Sequence, residues 1–369
     1  MIKLKLKAEF ENSGNPFLLK LCEQGKSLET HAEADEIASF VKEVNYLDIS
    51  SKHGTIKVLT EHDDSYHGDV MLCIPESGRI QRLYRANSSN NTFLFTERCD
   101  QMCAMCSQPP RSSIDQWRFP HFQRTIELAE PNTIIGISGG EPTLYKKDLF
   151  GILQNTADKR SDLMMHILSN GQHFEDEDMD TLKTIHKDLE VLWGIPLYSH
   201  DPSNHDEIVG KEGAFNKVME NFFKLGSVDT AIELRTVLTK KNALDLPMLA
   251  DFISKHLPFI NKWVIMAMEP IGFAKANKGE LFYDHSIARF PLQNALDIVE
   301  FNSISTQLYN FPSCTVDAKY RKFCTQSISD WKNKYLEECN KCSEKTSCCG
   351  FFEWYTQDWS WKNIQAIGV

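Results

Sequence analysis

The sequence has 369 residues, a hydrophobic fraction of 41% and a formal net charge of −11. Its length predicts one large domain or two to three smaller ones, and its composition is typical of a globular protein with a sizeable core. The acidic balance argues against general nucleic-acid binding, which favours basic surfaces. The longest apolar runs fall short of the ~18 residues of a membrane span, so we expect a cytoplasmic protein without a membrane anchor.

The eleven cysteines are unevenly distributed along the chain. Three lie between 99 and 106, six lie between 314 and 349, and the stretch 107–313 has none. An exported, disulfide-bonded protein is usually smaller and does not group its cysteines in this way. The grouping therefore indicates metal ligation in a reducing compartment.

The first predicted region spans residues 1–88 and is rich in strands. Strands are predicted at 1–7, 55–59, 69–74 and 79–84. The segment 35–44 predicts a helix, and the polar segment 87–91 is typical of a domain boundary. Two roles fit this region equally well: binding of a leader peptide by a strand-rich appendage, or a packing extension.

The second predicted region, 89–312, alternates strands and helices, which predicts a parallel sheet with helical crossovers. Strands are predicted at 92–97, 133–137, 163–168, 190–195, 231–238 and 262–268. Helices are predicted at 120–130, 145–156, 176–188, 214–225, 246–256 and 292–301. A third region, 313–369, carries the second cysteine group and many aromatic residues.

Cys99, Cys103 and Cys106 follow the first strand of the second region with the spacing C-x3-C-x2-C. Three thiolates on one loop can hold three irons of a 4Fe-4S cluster and leave the fourth iron without a protein ligand. Because a structural metal site normally fills every coordination position, we interpret the triplet as a chemical site. The alternatives are a zinc knuckle, which needs a nearby fourth Cys or His, and three buried thiols.

The segment Ser138-Gly-Gly-Glu-Pro-Thr-Leu144 follows the second strand. With the cysteine triplet, in this order and each after a strand, it resembles the radical S-adenosylmethionine (SAM) superfamily. The resemblance implies an α/β fold built on a partial (β/α)6 barrel, with the active site at the carboxyl ends of the strands. It also implies that a 4Fe-4S cluster binds SAM and, after one-electron reduction, yields a 5′-deoxyadenosyl radical that abstracts a hydrogen atom from the substrate.

Within this resemblance, the segment Gly139-Gly140-Glu141-Pro142 is expected to contact the methionine amino group of SAM. Glycine lets the backbone approach a ligand closely, and the Glu141 carboxylate can accept a hydrogen bond from an ammonium group. The alternative interpretation is a tight strand-to-helix turn with Glu141 at the start of the helix.

Five further residues are candidates for SAM contacts: Met105, Ser169, Asn170, Ser199 and Arg235. The superfamily often has an aromatic residue before the third cysteine, and the thioether of Met105 can pack against adenine in its place. Ser169 and Asn170 occupy a site that in the superfamily lies near the SAM ribose, or they form a hydrogen-bonding turn. Ser199 is a comparable candidate after the fourth strand. Arg235 on the fifth suits bidentate binding of the SAM carboxylate, or it forms an interior ion pair.

The C-terminal cysteines Cys339, Cys342 and Cys348 have the spacing C-x2-C-x5-C. This spacing resembles the auxiliary-cluster segment of peptide-modifying radical SAM enzymes, known as the SPASM or twitch extension. The resemblance implies an auxiliary 4Fe-4S cluster with Cys314 as the fourth ligand, and Cys324 and Cys349 are spare or alternative ligands. A structural zinc site is the alternative, because C-x2-C also serves zinc.

Three further segments, 103–110, 326–333 and 348–352, resemble the radical SAM maturases of the His-Xaa-Ser peptide system. The resemblance implies modification of a ribosomally made peptide and a second radical SAM maturase as partner. The expected electron source is an external one-electron donor of the flavodoxin or ferredoxin type. Two alternatives stay open: a radical SAM enzyme acting on a small molecule or nucleotide, and a non-catalytic iron–sulfur subunit that presents the peptide to the second maturase.

Overall fold

The N-terminal part of the protein is a closed barrel of seven strands. The structure is a computed structural model that describes residues 3–28, 32–60, 64–356 and 361–368. The barrel strands are β1 (Lys5–Phe10), β2 (Phe17–Glu23), β3 (Ile37–Lys42), β4 (Tyr46–Ser51), β5 (Gly54–Leu59), β6 (Val70–Ile74) and β7 (Arg79–Tyr84). Their order is β1-β5-β4-β3-β2-β6-β7, and pairing of β7 with β1 closes the barrel. Neighbouring strands are antiparallel except β2 and β3.

Alternating side chains explain this small barrel. Leu6 and Ala8 on β1, like Ile56 and Val58 on β5, point into a separate apolar core, while the residues between them face outward. The predicted strands at 55–59, 69–74 and 79–84 are confirmed by β5, β6 and β7. The strand predicted at 1–7 is present as β1, which begins at Lys5; residues 1 and 2 lie outside the described residues.

The helix predicted at 35–44 is wrong, because this segment forms β3. Ala38 and Phe40 are buried, whereas Ser39 and Val41 are exposed, so the segment has the period of two that a half-buried strand requires. Pairing with β4 in the closed barrel outweighs the helix-favouring composition around it. Closure also pairs both edges of the described barrel strands, which leaves this sheet no free edge to which a peptide strand could be added.

A seven-stranded parallel sheet follows, with its strands in sequential order from β8 to β14. Its strands are β8 (Asn91–Thr96), β9 (Ile134–Gly139), β10 (Met164–Leu168), β11 (Glu190–Pro196), β12 (Ala231–Leu238), β13 (Lys262–Ala267) and β14 (Thr306–Tyr309). Its helices are α1 (Phe119–Leu128), α2 (Lys146–Lys159), α3 (Asp178–Asp188), α4 (Pro202–Val209), α5 (Ala214–Ser227), α6 (Leu246–His256), α7 (Gly272–Ala276), α8 (Lys278–Leu281) and α9 (Phe290–Phe301).

The parallel sheet and its crossovers confirm the α/β prediction and the six predicted strands, which are β8 to β13, but a seventh strand was not predicted. The seventh strand, β14, pairs with β13 and ends the sheet. Sequence patterning missed it because its four residues, Thr-Gln-Leu-Tyr, form a short and half-polar strand. The helices α4, α7 and α8 were also not predicted. In the described chain, none of the helices has both the length and the apolar character needed to cross a membrane.

The C-terminal segment adds only a two-residue pairing, β15 (Asn333–Lys334) with β16 (Phe351–Phe352). Its aromatic side chains nevertheless join the main core: Tyr355 stacks on Trp361, the Phe351 ring lies tilted against both, and Trp361 contacts the ring of His285. These contacts hold the cysteine-rich segment against the parallel sheet.

Polar contacts connect the N-terminal barrel to the rest of the molecule. The buried ammonium of Lys20 donates to the carbonyl of Leu128 at 2.8 Å and pairs with Glu130 at 2.9 Å. The guanidinium of Arg85 forms a bidentate pair, at 2.9 and 3.0 Å, with Asp330, which lies in the C-terminal cysteine-rich segment. The barrel therefore contacts both the first helical layer and the cysteine-rich segment.

Candidate active site

The loop after β8 places the first three cysteines at the carboxyl end of the parallel sheet. Burial, together with the nearby Cys106 thiol, raises the pKa of Cys99 to about 11 and that of Cys103 to about 12. Buried thiols that repel each other's charge ionise when a cation is bound between them. The triplet therefore fits a metal cluster. Within the described chain, no three His, Cys, Asp or Glu side chains are grouped to hold a single metal ion.

The end of α4 contacts this cysteine loop through two main-chain hydrogen bonds. The backbone N–H of Met102 donates to the carbonyl of Val209 at 3.0 Å, and that of Ala104 donates to Ile208 at 2.9 Å. These two bonds hold residues 102–104 of the loop against the end of the helix. The brace comes from a helix that sequence patterning did not predict.

The start of α7 braces the opposite side of the loop. Phe273 N–H donates to the carbonyl of Cys106 at 2.8 Å, and the Asn277 side chain donates to that of Ala104 at 2.9 Å. Gly272 has a φ of +58°, and a Cβ there would lie 2.5 Å from the Cys106 carbonyl oxygen. The glycine of Glu269-Pro-Ile-Gly272, a segment without a predicted role, is thus required by close packing against the cysteine loop.

Gly139 and Gly140 make room for the protein's own backbone. A Cβ on Gly139 would lie 2.2 Å from the Thr96 carbonyl oxygen, and one on Gly140 would lie 2.0 Å from that of Arg98. Gly140 N–H donates to the Thr96 carbonyl at 2.7 Å. Both glycines thus lie against the start of the cysteine loop, and contact of this segment with the SAM amino group stays a prediction.

Glu141 is fully buried and its carboxylate connects two turns. It accepts hydrogen bonds from the N–H of Thr143 at 2.9 Å, the hydroxyl of Ser169 at 2.8 Å and the N–H of Asn170. Burial raises its pKa above the ordinary value, and these donors oppose that rise. The predicted alternative, a capped strand-to-helix turn, is what the structure shows at Glu141, followed by Pro142 at the start of a 3₁₀ turn.

Asp100 is the second carboxylate of the network, and sequence reasoning missed it. Its oxygens accept from Asn170 Nδ2 at 2.8 Å, lie 3.2 Å from His173 Nε2, and pair with Lys211. Burial opposes ionisation of Asp100, but these partners hold its pKa well below its usual range. Because Asp100 directly follows Cys99, the contacts tie the cysteine loop to the turn after β10 and to the loop after α4.

The remaining predicted SAM contacts have partners within the protein. The Ser199 hydroxyl accepts from the N–H of Asp201 at 3.1 Å, just before α4, and Asp201 itself caps the helix. Met105 is buried in an apolar cluster with Ile208 and Met268. Arg235 forms the interior ion pair, with the buried Glu233, and also contacts the Met266 sulfur at 3.1 Å. Tyr198, which was not predicted, packs with Cys103 against the apolar cluster of Met105, and burial raises the pKa of its hydroxyl.

The C-terminal cysteines converge on one pocket. Its lining includes Cys314, Cys339, Cys342 and Cys348, together with the tail residues 364–367. Cys324 and Cys349 are not among its lining residues in the described chain. The structure thus brings the predicted fourth ligand, Cys314, to the other three.

Backbone N–H groups point at sulfur atoms in this pocket. Ser313 and Gly350 donate to the Cys348 sulfur at 3.4 Å each, and Ile367 donates to the Cys342 sulfur at 3.4 Å. A hydrogen bond from Cys349, with these N–H groups, lowers the pKa of Cys348 to about 5. Such N–H···S bonds stabilise ligating thiolates in iron–sulfur proteins, so the donor set fits a cluster.

Comparison with known proteins supports the prediction for the central part of the chain. Residues 93–253 match the model of the Radical SAM superfamily, so this part of the chain is similar to that superfamily. None of the curated proteins matches the chain. The His-Xaa-Ser subtype and the auxiliary-cluster region stay predictions.

Solved structures with a similar fold share little sequence with this chain. Streptococcus suis SuiB bound to S-adenosylmethionine is 17% identical, with 59% of this chain and 46% of SuiB covered and a TM-score of 0.44. The structure of anSMEcpe with bound AdoMet is 15% identical, with 58% of this chain and 62% of anSMEcpe covered and a TM-score of 0.43. A domain of pyruvate-formate lyase-activating enzyme from Bacteroides vulgatus is 14% identical, with 47% of this chain and 96% of that domain covered and a TM-score of 0.37. The chain thus spans less than two-thirds of SuiB and of anSMEcpe.

Gly140→Ala tests the backbone packing between the two motifs. We expect a loss of about 1–3 kcal/mol in the free energy of unfolding and a lower iron content after anaerobic reconstitution, because the added Cβ overlaps the Arg98 carbonyl. Gly151→Ala is the control, since its Cβ would meet nothing within 4 Å. Equal iron content and stability in the two variants would contradict this packing.

Asp100→Asn tests the carboxylate that anchors the cysteine loop. We expect faster loss of iron to a chelator and a destabilisation of about 1–2 kcal/mol, because Lys211 and His173 lose a charged partner that is only partly exposed. Asp148→Asn, at an exposed acid on α2, is the control. If Asp100 acts through Lys211, the effects of Asp100→Asn and Lys211→Met will not add in the double variant, whereas strict additivity would refute the contact.

Proposed function

We propose that this protein is a radical SAM enzyme that modifies a ribosomally made peptide. The observation that carries the proposal is the joint placement of the three-cysteine loop and the Gly139–Pro142 turn at the carboxyl end of a parallel sheet. Two main-chain bonds, from Gly140 to Thr96 and from Glu141 to Arg98, hold the motifs against each other. Ligands in open α/β folds bind at this end of the strands.

Cys99, Cys103 and Cys106 would hold a 4Fe-4S cluster. With SAM bound, such a cluster supplies one-electron cleavage of SAM and a 5′-deoxyadenosyl radical for hydrogen abstraction. The protein's part is to fix the three thiols, which the contacts from α4 and α7 accomplish, and to limit access of water. The apolar cluster of Met105, Ile208 and Met268 serves the second purpose beside the thiols.

We propose that SAM lies against the turns after β9, β10 and β11, where Gly139–Pro142, Ser169, Asn170 and Ser199 lie. Because the Glu141 carboxylate is already bonded to Ser169 and Asn170, its part is to position these turns. To bind the SAM carboxylate, Arg235 has to give up part of its contact with Glu233. It can keep the rest of that contact, because the guanidinium carries enough N–H donors for both carboxylates.

We propose a second 4Fe-4S cluster in the C-terminal pocket, held by Cys314, Cys339, Cys342 and Cys348. The N–H groups directed at the sulfur atoms support this choice of ligands. This cluster would bind the substrate or pass an electron onward. The peptide substrate, the second radical SAM maturase and a cytoplasmic location rest on the resemblance of segments 103–110, 326–333 and 348–352 and on the unpaired state of all eleven cysteines.

Iron and sulfide content after anaerobic reconstitution tests the two-cluster arrangement. The wild type should bind about eight irons, and the triple variant Cys99→Ala, Cys103→Ala, Cys106→Ala should bind about four. The double variant Cys22→Ala, Cys73→Ala is the control and should match the wild type, because both cysteines lie in the N-terminal barrel. About four irons falling to none, with zinc found in the protein, would make the C-terminal site structural.

Co-expression with a candidate precursor peptide that carries His-Xaa-Ser repeats tests the substrate. We expect a mass change in the peptide that depends on Cys106, measured by mass spectrometry of the purified peptide with wild type and with Cys106→Ala. The Cys73→Ala variant should modify the peptide normally. A peptide of unchanged mass, in cells where the protein carries both clusters, would favour a small-molecule or nucleotide substrate.

A further inference from the structure

Residues 361–368 run along one side of the C-terminal cysteine pocket, and they form neither a helix nor a strand. We call them the closing segment. Residues 364–367 of this segment line the pocket together with the four cysteines proposed as cluster ligands. Within that stretch Gln365 is exposed, so the segment lies between the pocket and solvent. The sequence analysis assigned no role to these residues.

The start of the closing segment is held by one buried ring and two main-chain hydrogen bonds. The ring of Trp361 belongs to the main core. The N–H of Lys362 donates to Asp284 Oδ2 at 3.0 Å, and the N–H of Asn363 donates to the Ser286 hydroxyl at 3.1 Å. Both acceptors lie in the loop between α8 and α9. These contacts fix the chain where it approaches the pocket.

The other end of the closing segment is held by Ser343, which directly follows the proposed ligand Cys342. The N–H and the hydroxyl of Ser343 both donate to the Ile367 carbonyl, at 3.0 Å each. Gly368 has a φ of +75°, and a Cβ there would lie 2.6 Å from the Ser343 hydroxyl oxygen. The residues that line the pocket are therefore held on both sides.

Main-chain donors of the closing segment are directed at two of the four proposed ligands. The N–H of Ile367 donates to the Cys342 sulfur at 3.4 Å. Burial raises the pKa of Cys314 to about 11, and a hydrogen bond from the main chain of Gln365 opposes that rise. Hydrogen bonds to the sulfur atoms and exposure to solvent both set the reduction potential of an iron–sulfur cluster. The closing segment is placed to control both.

The number of cysteines in the pocket decides what a cluster there can bind. A 4Fe-4S cluster held by Cys314, Cys339, Cys342 and Cys348 has a protein ligand on each of its four irons, unlike a cluster held by the three-cysteine loop. A substrate would have to displace a cysteine to reach an iron. On this side of the pocket it would also have to displace the closing segment.

We propose that the closing segment is part of the auxiliary-cluster site, where its N–H groups orient the ligating thiolates and residues 364–367 keep solvent and substrate away from the irons. This inference rests on the proposed function, which places a second 4Fe-4S cluster in this pocket. It also decides between the two roles given there, because a cluster closed in this way does not bind the substrate. Gln365 and Ile367 act through the cysteines and are positioning residues.

The triple variant Cys99→Ala, Cys103→Ala, Cys106→Ala isolates the C-terminal cluster and is the parent protein for the test. Deletion of residues 364–369 removes the lining, and Gln365→Ala, which keeps the main chain, is its control. Ile367→Pro removes the N–H that points at Cys342, and Ile367→Ala, which keeps that N–H, is its control. After anaerobic reconstitution, iron release to a chelator is followed by absorbance, and the midpoint potential is measured by a redox titration monitored by electron paramagnetic resonance.

We expect the deletion variant to release iron at least about tenfold faster than the parent, because it loses both the cover and the donors to sulfur. Ile367→Pro should have a more negative midpoint potential, since the lost N–H no longer stabilises the added electron of the reduced cluster. Both control variants should match the parent. If the deletion variant takes up no iron, the comparison of the proline and alanine variants decides the question.

Equal rates of iron release from the iron-loaded deletion variant and the parent would overturn the proposal, as would equal potentials of the proline and alanine variants. A parent protein whose resonance spectrum changes when cyanide is added would also overturn it, because cyanide binds to an open iron. A parent protein that binds no iron is a different result, since it contradicts the proposed auxiliary cluster itself and this inference with it.

Discussion

Two buried or half-buried carboxylates, Glu141 and Asp100, hold the candidate active site together. Glu141 bonds the turn after β9 to the turn after β10, and Asn170 in that second turn bonds to Asp100 in the cysteine loop. Lys211 extends the chain of contacts to the loop after α4. Each contact joins residues far apart in sequence, so the shape of the cysteine loop depends on β9, β10 and α4 being in place.

Because this network is buried, its carboxylates need hydrogen-bond donors around them. A carboxylate out of water is costly unless donors surround it, and Glu141 has Thr143, Ser169 and Asn170 around it. A network that is fully satisfied is rigid, which suits a loop that must hold three thiols in fixed positions. The α4 and α7 contacts add main-chain bonds on both sides of the loop. Rigid support and a chemically reactive cysteine set thus occur at the same place.

The sequence predicted most of the parallel sheet because its long apolar strands and amphipathic helices carry strong periodic signals. It missed β14, which is short, and it assigned a helix to 35–44, where barrel pairing decides the structure. The cysteines and the Gly139–Pro142 turn were found because their spacing is local. Asp100 and Lys211 were not, because their importance comes from contacts between distant segments. For Gly140, the sequence predicted a close approach to SAM, whereas the close neighbour that the structure shows is the Arg98 carbonyl.

The most direct measurement is formation of 5′-deoxyadenosine from SAM by the reconstituted protein under dithionite, followed by chromatography. We expect product with the wild type and none with Cys106→Ala, while Cys22→Ala stays active. Product formation independent of Cys106 would contradict the assignment of the cysteine loop. A wild-type protein that holds its clusters, is reduced by dithionite and still leaves SAM intact would contradict the enzymatic proposal itself.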